Sequence, residues 1–149
     1  MTEASEAPIR ADDAAIRGII EAIAAGNLAQ DAEAIAQYYA PGASIADLAP
    51  PLQRRDFDRA GMQAWLDGCG APVEVATRNL VVEVAGDLAV AHGLQHTRTR
   101  TRSGEEAAWW SRVTRVLNRS QAGWRITHEH DSVPFHMDGS FRAAVDLEP

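Results

Sequence analysis

The sequence predicts an α+β domain, an antiparallel sheet with helices packed on one face. Two observations carry the prediction. Apolar residues recur at helical spacing in the first part of the chain, and from Val73 onward the repeat changes to period two and stays there. A third observation sets the domain count. No linker, repeat or low-complexity stretch divides the 149 residues, a length that one domain with a sizeable core accommodates.

Residues 1–10 are polar and acidic and read as a flexible lead to a single domain over 11–149. Ile16, Ile19, Ile20 and Ile23 then form one apolar stripe of a helix, with Asp12 placed to accept its free N–H groups and Gly26 to end it. A second helix is expected over Asp31 to Tyr39, where Pro41-Gly42 stops it. Ala43 to Leu48 reads as a short strand, closed by Pro50-Pro51. A third helix is expected over Asp56 to Asp67, carrying Phe57, Met62, Trp65 and Leu66 and ending at Gly68 and Gly70. Four strands follow, over Val73 to Ala85, Leu88 to Arg102, Ala107 to Asn118 and Trp124 to Asp131, joined by turns at Gly86-Asp87, Ser103-Gly104 and Ser120 to Gly123. In the first of these the apolar parity shifts from Val73 and Val75 to Leu80, Val82 and Val84, which predicts a bulge near Arg78 or Asn79. Long bent strands around helices leave a hollow suited to a small-molecule ligand.

Composition narrows the partners. A formal net charge of −7 argues against binding along nucleic acid or an anionic membrane, both of which need a basic face. Cys69 is the single cysteine, so no intrachain disulfide and no cysteine-rich metal site is expected. Met1 to Arg10 has no basic start followed by an apolar run, and no stretch reaches the ~20 apolar residues of a membrane span. The expected location is the cytoplasm.

Four segments carry a family resemblance: YYAPGASIADLAPPL (Tyr38 to Leu52), GDLAVAHGL (Gly86 to Leu94), WWSRVTRVL (Trp109 to Leu117) and GWRITHEHDSVPF (Gly123 to Phe135). In order and spacing they resemble the nuclear-transport-factor-2-like superfamily, closest to its ketosteroid-isomerase-homologue or SnoaL-like branch. The resemblance implies a cone-shaped cystatin-like fold, with a curved antiparallel sheet wrapped around the N-terminal helices, and a chemistry drawn from isomerases, dehydratases, cyclases, hydrolases or plain binding domains. Ketosteroid isomerase uses an Asp base and an oxyanion hole made by a Tyr and a protonated Asp. The resemblance places Asp47 where the family's base sits. The oxyanion partners do not carry over, since Ile19 occupies the Tyr position and Ser111 to Thr114 offers no carboxylic acid.

The candidate residues follow from strand parity and this resemblance. Asp47 shares parity with Ile45, so it points inward if Ile45 does; otherwise it is a turn carboxylate bonded to backbone before Pro50. His92 and His96 share a face with Val90 and Leu94; about 13 Å separates strand residues four apart, too far to bind one metal unaided. The resemblance favours Trp110 and Arg112, with Thr114 on the same face, as pocket-facing, and Arg115 as an outer-surface arginine. A buried Arg112 would need a carboxylate, with Asp47 the candidate. His128, His130 and Ser132 share parity with Trp124 and Ile126 and read as polar pocket lining, with Tyr39 and Trp65 closing the cone from the helix side. The expected catalytic set is Asp47 as base with Arg112 or His130 stabilising an oxyanion; Tyr39, Trp65, His92, Trp110, Thr114, His128 and Ser132 are the expected ligand contacts.

Two functions stand side by side. One is a cofactor-independent, acid–base enzyme of isomerase, dehydratase or cyclase type, acting on a small, largely apolar carbonyl compound. The other is a non-catalytic ligand-binding or assembly domain, expected as a homodimer through the outer sheet face, with Trp109 and Val113 in the contact. The histidine count keeps a metal-dependent enzyme open as a third, but no metal or other cofactor is expected.

Overall fold

The computed structural model describes residues 3–149, with side chains from Ile9 onward. Helix α1 spans Glu3–Leu28 and packs its buried Ile16, Ile19, Ile20 and Ile23 onto the core, as the apolar stripe requires. It begins ahead of Asp12, so residues 3–10, read as a flexible lead, belong to the helix; the good helix formers Glu3, Ala4, Glu6 and Ala7 prolong it. Residues 1–2 lie outside the described residues. Asp12 is therefore no cap. It accepts hydrogen bonds from Arg119 Nη1 at 2.9 Å and Trp124 Nε1 at 3.1 Å, tying α1 to the end of the sheet.

Gly26 does not end α1 either. A Cβ built on it would stand 2.7 Å from Ile35 Cγ1, so glycine lets the next helix approach closely. That helix, α2, is short, Ala32–Ala36, with Asp31 as its N-cap. Tyr39 has already left it and starts strand β1, Tyr39–Ala46. The two-residue strand β2, Arg54–Arg55, pairs with β1 and was not expected. Helix α3, Arg59–Gly68, is capped by Asp58 and buries Leu66.

The remaining strands are β3 (Glu74–Ala85), β4 (Leu88–Arg100), β5 (Glu106–Ser120) and β6 (Gly123–Ser132). The sheet order is β2-β1-β6-β5-β4-β3, open at both edges. All neighbours are antiparallel except β1 and β6, which run parallel. The bulge expected in β3 lies between Arg78 and Val81, with Asn79 at φ 56°. A second bulge interrupts β6: Leu117 pairs with Ile126 but Val116 pairs with His128, leaving Thr127 as the extra residue. Thr127 Oγ1 donates to Asn118 Oδ1 at 2.7 Å, which holds the bulge in place.

This second bulge sets the site. Before it Trp124 and Ile126 face the core; after it the inward residues are Glu129 and Asp131, not His128 and His130. A one-residue insertion exchanges the two faces of a strand.

Candidate functional site

Between the helices and the inner sheet face lies a cavity of about 550 Å³. Its wall is mainly apolar: Ile23 and Ile35 from α1 and α2, Ile45 from β1, Phe57, Met62 and Trp65 from around α3, and Val75 and Trp109 from the sheet. The volume is in the range of small-molecule pockets. Asp47, Tyr39 and Trp65, expected at the site, do line it. Trp65 and Leu48 edge its opening and are exposed.

At the floor a set of polar side chains is buried together. Arg115 and Glu129 are cross-strand neighbours on β5 and β6, and their side chains are only 6% and 9% exposed. Glu129 Oε2 accepts from Arg115 Nε at 2.6 Å and from the Tyr39 hydroxyl at 2.7 Å. Arg115 Nη2 donates to Gln95 Oε1 at 3.2 Å. Burial works against the Arg115 charge, but Glu129, Tyr39 and Asp131 more than offset it, and the pKa is raised. Burial, then Glu129, pushes the Tyr39 phenol well above its ordinary value, so Tyr39 stays a donor.

Asp131 completes the group. Burial first, then the negative charges of Glu129 and Asp47, raise its pKa to about 8, against the opposing pull of Arg115. Its Oδ1 is buried without a hydrogen-bond partner among the described residues. A neutral carboxylic acid near pH 7 therefore faces a mostly apolar hollow, able to donate one hydrogen bond and to give up one proton. Asp47 sits nearer the rim, where Oδ1 accepts from Ala49 N at 2.9 Å and Oδ2 lies 3.3 Å from Arg54 Nη1. It is thus both the turn carboxylate and the pocket carboxylate that the sequence left as alternatives.

The other expected residues are elsewhere. His92, Trp110, Arg112, Thr114, His128, His130 and Ser132 all lie on the outer sheet face. Arg112 Nε donates to Ser132 Oγ at 3.1 Å there, on the face opposite the cavity that the anticipated partner Asp47 lines. His96 stacks on Trp110 at 4.7 Å between ring centroids, and Arg78 lies over the same indole. Conversely Trp109 lines the cavity and Val113 is buried, although both were expected outside. The β5 parity taken from the resemblance was inverted: Arg115 faces inward and Arg112 outward. The alternation Trp109, Val113, Leu117 on the Arg115 face was the signal that placed it inside. On β6 the Thr127 bulge put the histidines outside and the acids inside. Gln95, Arg115, Glu129, Asp131 and Arg54 were not singled out for the site. Among the described residues no three of His, Cys, Asp and Glu come together to hold a metal ion.

Comparison with known proteins fits this geometry. The chain belongs to the SnoaL-like domain family, which it matches over residues 13–136. It is similar to a nuclear-transport-factor-2-like protein of unknown function from Pseudomonas putida KT2440, with 30% identity, a TM-score of 0.82, and coverage of 94% of this chain and 98% of the other. A cystatin-like-fold relative from Novosphingobium aromaticivorans has 22% identity and a TM-score of 0.72, covering 97% and 94% of the two chains. A nuclear-transport-factor-2-like superfamily protein from Salmonella enterica serovar Typhimurium has 18% identity and a TM-score of 0.76, covering 89% and 97%. These last two show a shared fold alone. No curated protein matches the chain. No helix among the described residues is long and apolar enough to cross a membrane.

Proposed function

We propose that the cavity binds a small, largely apolar carbonyl compound and moves a proton on it. The observation that carries this is Asp131: an aspartic acid in no ion pair that lines the mainly apolar hollow, its pKa raised to about 8. A group of that kind donates a hydrogen bond to a carbonyl oxygen and strengthens the bond as negative charge grows on it. Asp47, on the same cavity wall, is the base in this reading. It takes a proton from the carbon next to the carbonyl, the electron pair moves to the oxygen, and the enolate is held by Asp131 until the proton returns. Isomerisation, dehydration and cyclisation all share this step.

The test is exchange of the α-protons of 2-tetralone in D₂O, followed by proton NMR. The wild-type protein is expected to accelerate exchange above buffer. Asp47→Asn is expected to lower the rate by roughly a hundredfold, the usual worth of a positioned base. Exchange no faster with wild type than with an Asp47→Asn, Asp131→Asn double variant would remove the catalytic reading and leave ligand binding.

A second copy of the chain is proposed as the partner, meeting the outer sheet face. That face carries Val81, Val90, Leu94, Trp110 and Val116, and Val81 is 42% exposed. Apolar side chains set among polar ones on a broad sheet face suit a contact between two copies.

A further inference from the structure

Three neighbouring polar groups on the inner sheet face have no partner among the described residues. Asp131 Oδ1 and Ser111 Oγ are both buried and unbonded. The third is the amide nitrogen of Gln95. Arg115 has only donors, so the end of the Gln95 carboxamide facing it must be the oxygen, and the bond is 3.2 Å. The Nε2 group is thereby turned away from Arg115, with two N–H donors and no acceptor.

Gln95 and Asp131 both line the cavity, on the strands either side of β5. Gln95 pairs with Ser111 across β4 and β5, and Val113, one inward step along from Ser111, pairs with both Gly93 and Asp131. Gly93 puts no side chain into this row. Arg115, whose own neighbour is Ala91, thus has room to reach past it to Gln95. Glu129, which accepts from the Tyr39 hydroxyl, fixes Arg115, so the carboxamide orientation is set by a chain of bonds within the protein and not by the guest.

We propose that Gln95 is a specificity-determining residue: its Nε2 and the Asp131 carboxyl, both on the cavity wall, together offer hydrogen-bond donors to one oxygen of the guest. The guest class is therefore an apolar ketone, enone or enolate. This rests on the pocket reading above and adds to it a residue whose role is selection. An N–H or ammonium group at the same place would face the Gln95 N–H donors and the neutral acid and gain less.

Two probes of the same shape test it: 2-acetylnaphthalene, which carries the oxygen, and 2-isopropenylnaphthalene, which does not. Binding is read from quenching of tryptophan fluorescence, since Trp65 and Trp109 line the cavity. The ketone is expected to bind wild type about tenfold more tightly than the alkene, as two net hydrogen bonds allow. Gln95→Leu is expected to weaken the ketone about fivefold and leave the alkene unchanged, a pattern that a general loss of packing does not produce. Gln95→Met, equally apolar and closer in shape, is expected to act the same way if Leu perturbs folding. Equal affinity of wild type for both probes, or equal weakening of both in the variants, overturns the proposal while leaving an apolar pocket. Binding of neither probe removes the pocket reading itself, and this one with it.

Discussion

Asp131 lines the cavity, and no cation forms an ion pair with it. Arg115 is engaged by Glu129 and Arg54 by Asp47, so burial and two negative neighbours outweigh the pull of Arg115 on Asp131. This has a consequence for stability. Below the ordinary value of 3.8 the carboxyl holds its proton in the folded and unfolded chain alike; between 3.8 and about 8 only the folded chain keeps it. The folded state then binds more protons, so the Asp131 contribution falls as pH rises through that window and is level above it. Asp131→Asn removes the dependence. The expected outcome is that the variant gains on wild type by about a few kcal/mol between roughly pH 4.5 and 8, measured by urea unfolding at constant ionic strength. Taking the difference between the two proteins cancels the opposite-signed contributions of Asp12, Asp138 and Asp146, whose pKa values are lowered. A constant difference across the window would mean that Asp131 is ionised in the folded protein, and with it the donor role would go.

The strands carry two bulges, and both steer side chains toward or away from the hollow. At the β3 bulge the backbone presses on β4: a Cβ built on Gly93 would lie 2.9 Å from the Arg78 carbonyl oxygen and 3.3 Å from Leu80 Cα. Both neighbours are main chain and cannot swing aside. Gly93→Ala is expected to cost about 1–3 kcal/mol, whereas Gly68→Ala, with nothing within 4 Å, is expected to be neutral or slightly stabilising. Chemical denaturation of the two variants side by side checks this, and equal effects would show that β3 relaxes around the added methyl. The bulges also explain how far the sequence could be read. The β3 bulge announced itself, because Leu80, Val82 and Val84 changed the apolar parity after Val75. The β6 bulge did not: after Ile126 the strand reads Thr, His, Glu, His, Asp, Ser, with no apolar residue to mark which face turned inward. Elements and their order were thus legible from periodicity. The site was legible only where an apolar neighbour fixed the parity, as Ile45 does for Asp47. On β5 the apolar Val113 and Leu117 gave the right parity, but a buried arginine contradicts the usual rule that charges face water, and its partner Glu129 lay beyond the unmarked bulge.

For the molecule as a whole, the sheet separates two polar populations. Acids and the paired guanidinium groups of Arg54 and Arg115 face the cavity, while His92, His96, His128 and His130 stand with Arg112 and Trp110 on the opposite side. The outer set sits among Val90, Leu94 and Val116, so a second copy laid on this face would cover apolar surface from both partners at once. In an isologous contact one substitution enters twice, which makes a central residue a sensitive probe. Leu94 is such a residue, between Arg78 on β3 and Arg112 on β5. Leu94→Glu would bring two carboxylates into the contact, while in a monomer the new carboxylate would lie at a partly buried position between two arginines that offset part of its cost. Sedimentation velocity at micromolar concentration is expected to give a dimer for wild type and a monomer for Leu94→Glu, with ketone binding in the cavity retained because the substitution is on the other face of the sheet. A wild-type monomer at that concentration would remove the outer-face contact. A dimer that survives Leu94→Glu would instead place the contact elsewhere, where the exposed Phe135, Met137 and Phe141 beyond β6 offer the other large apolar surface.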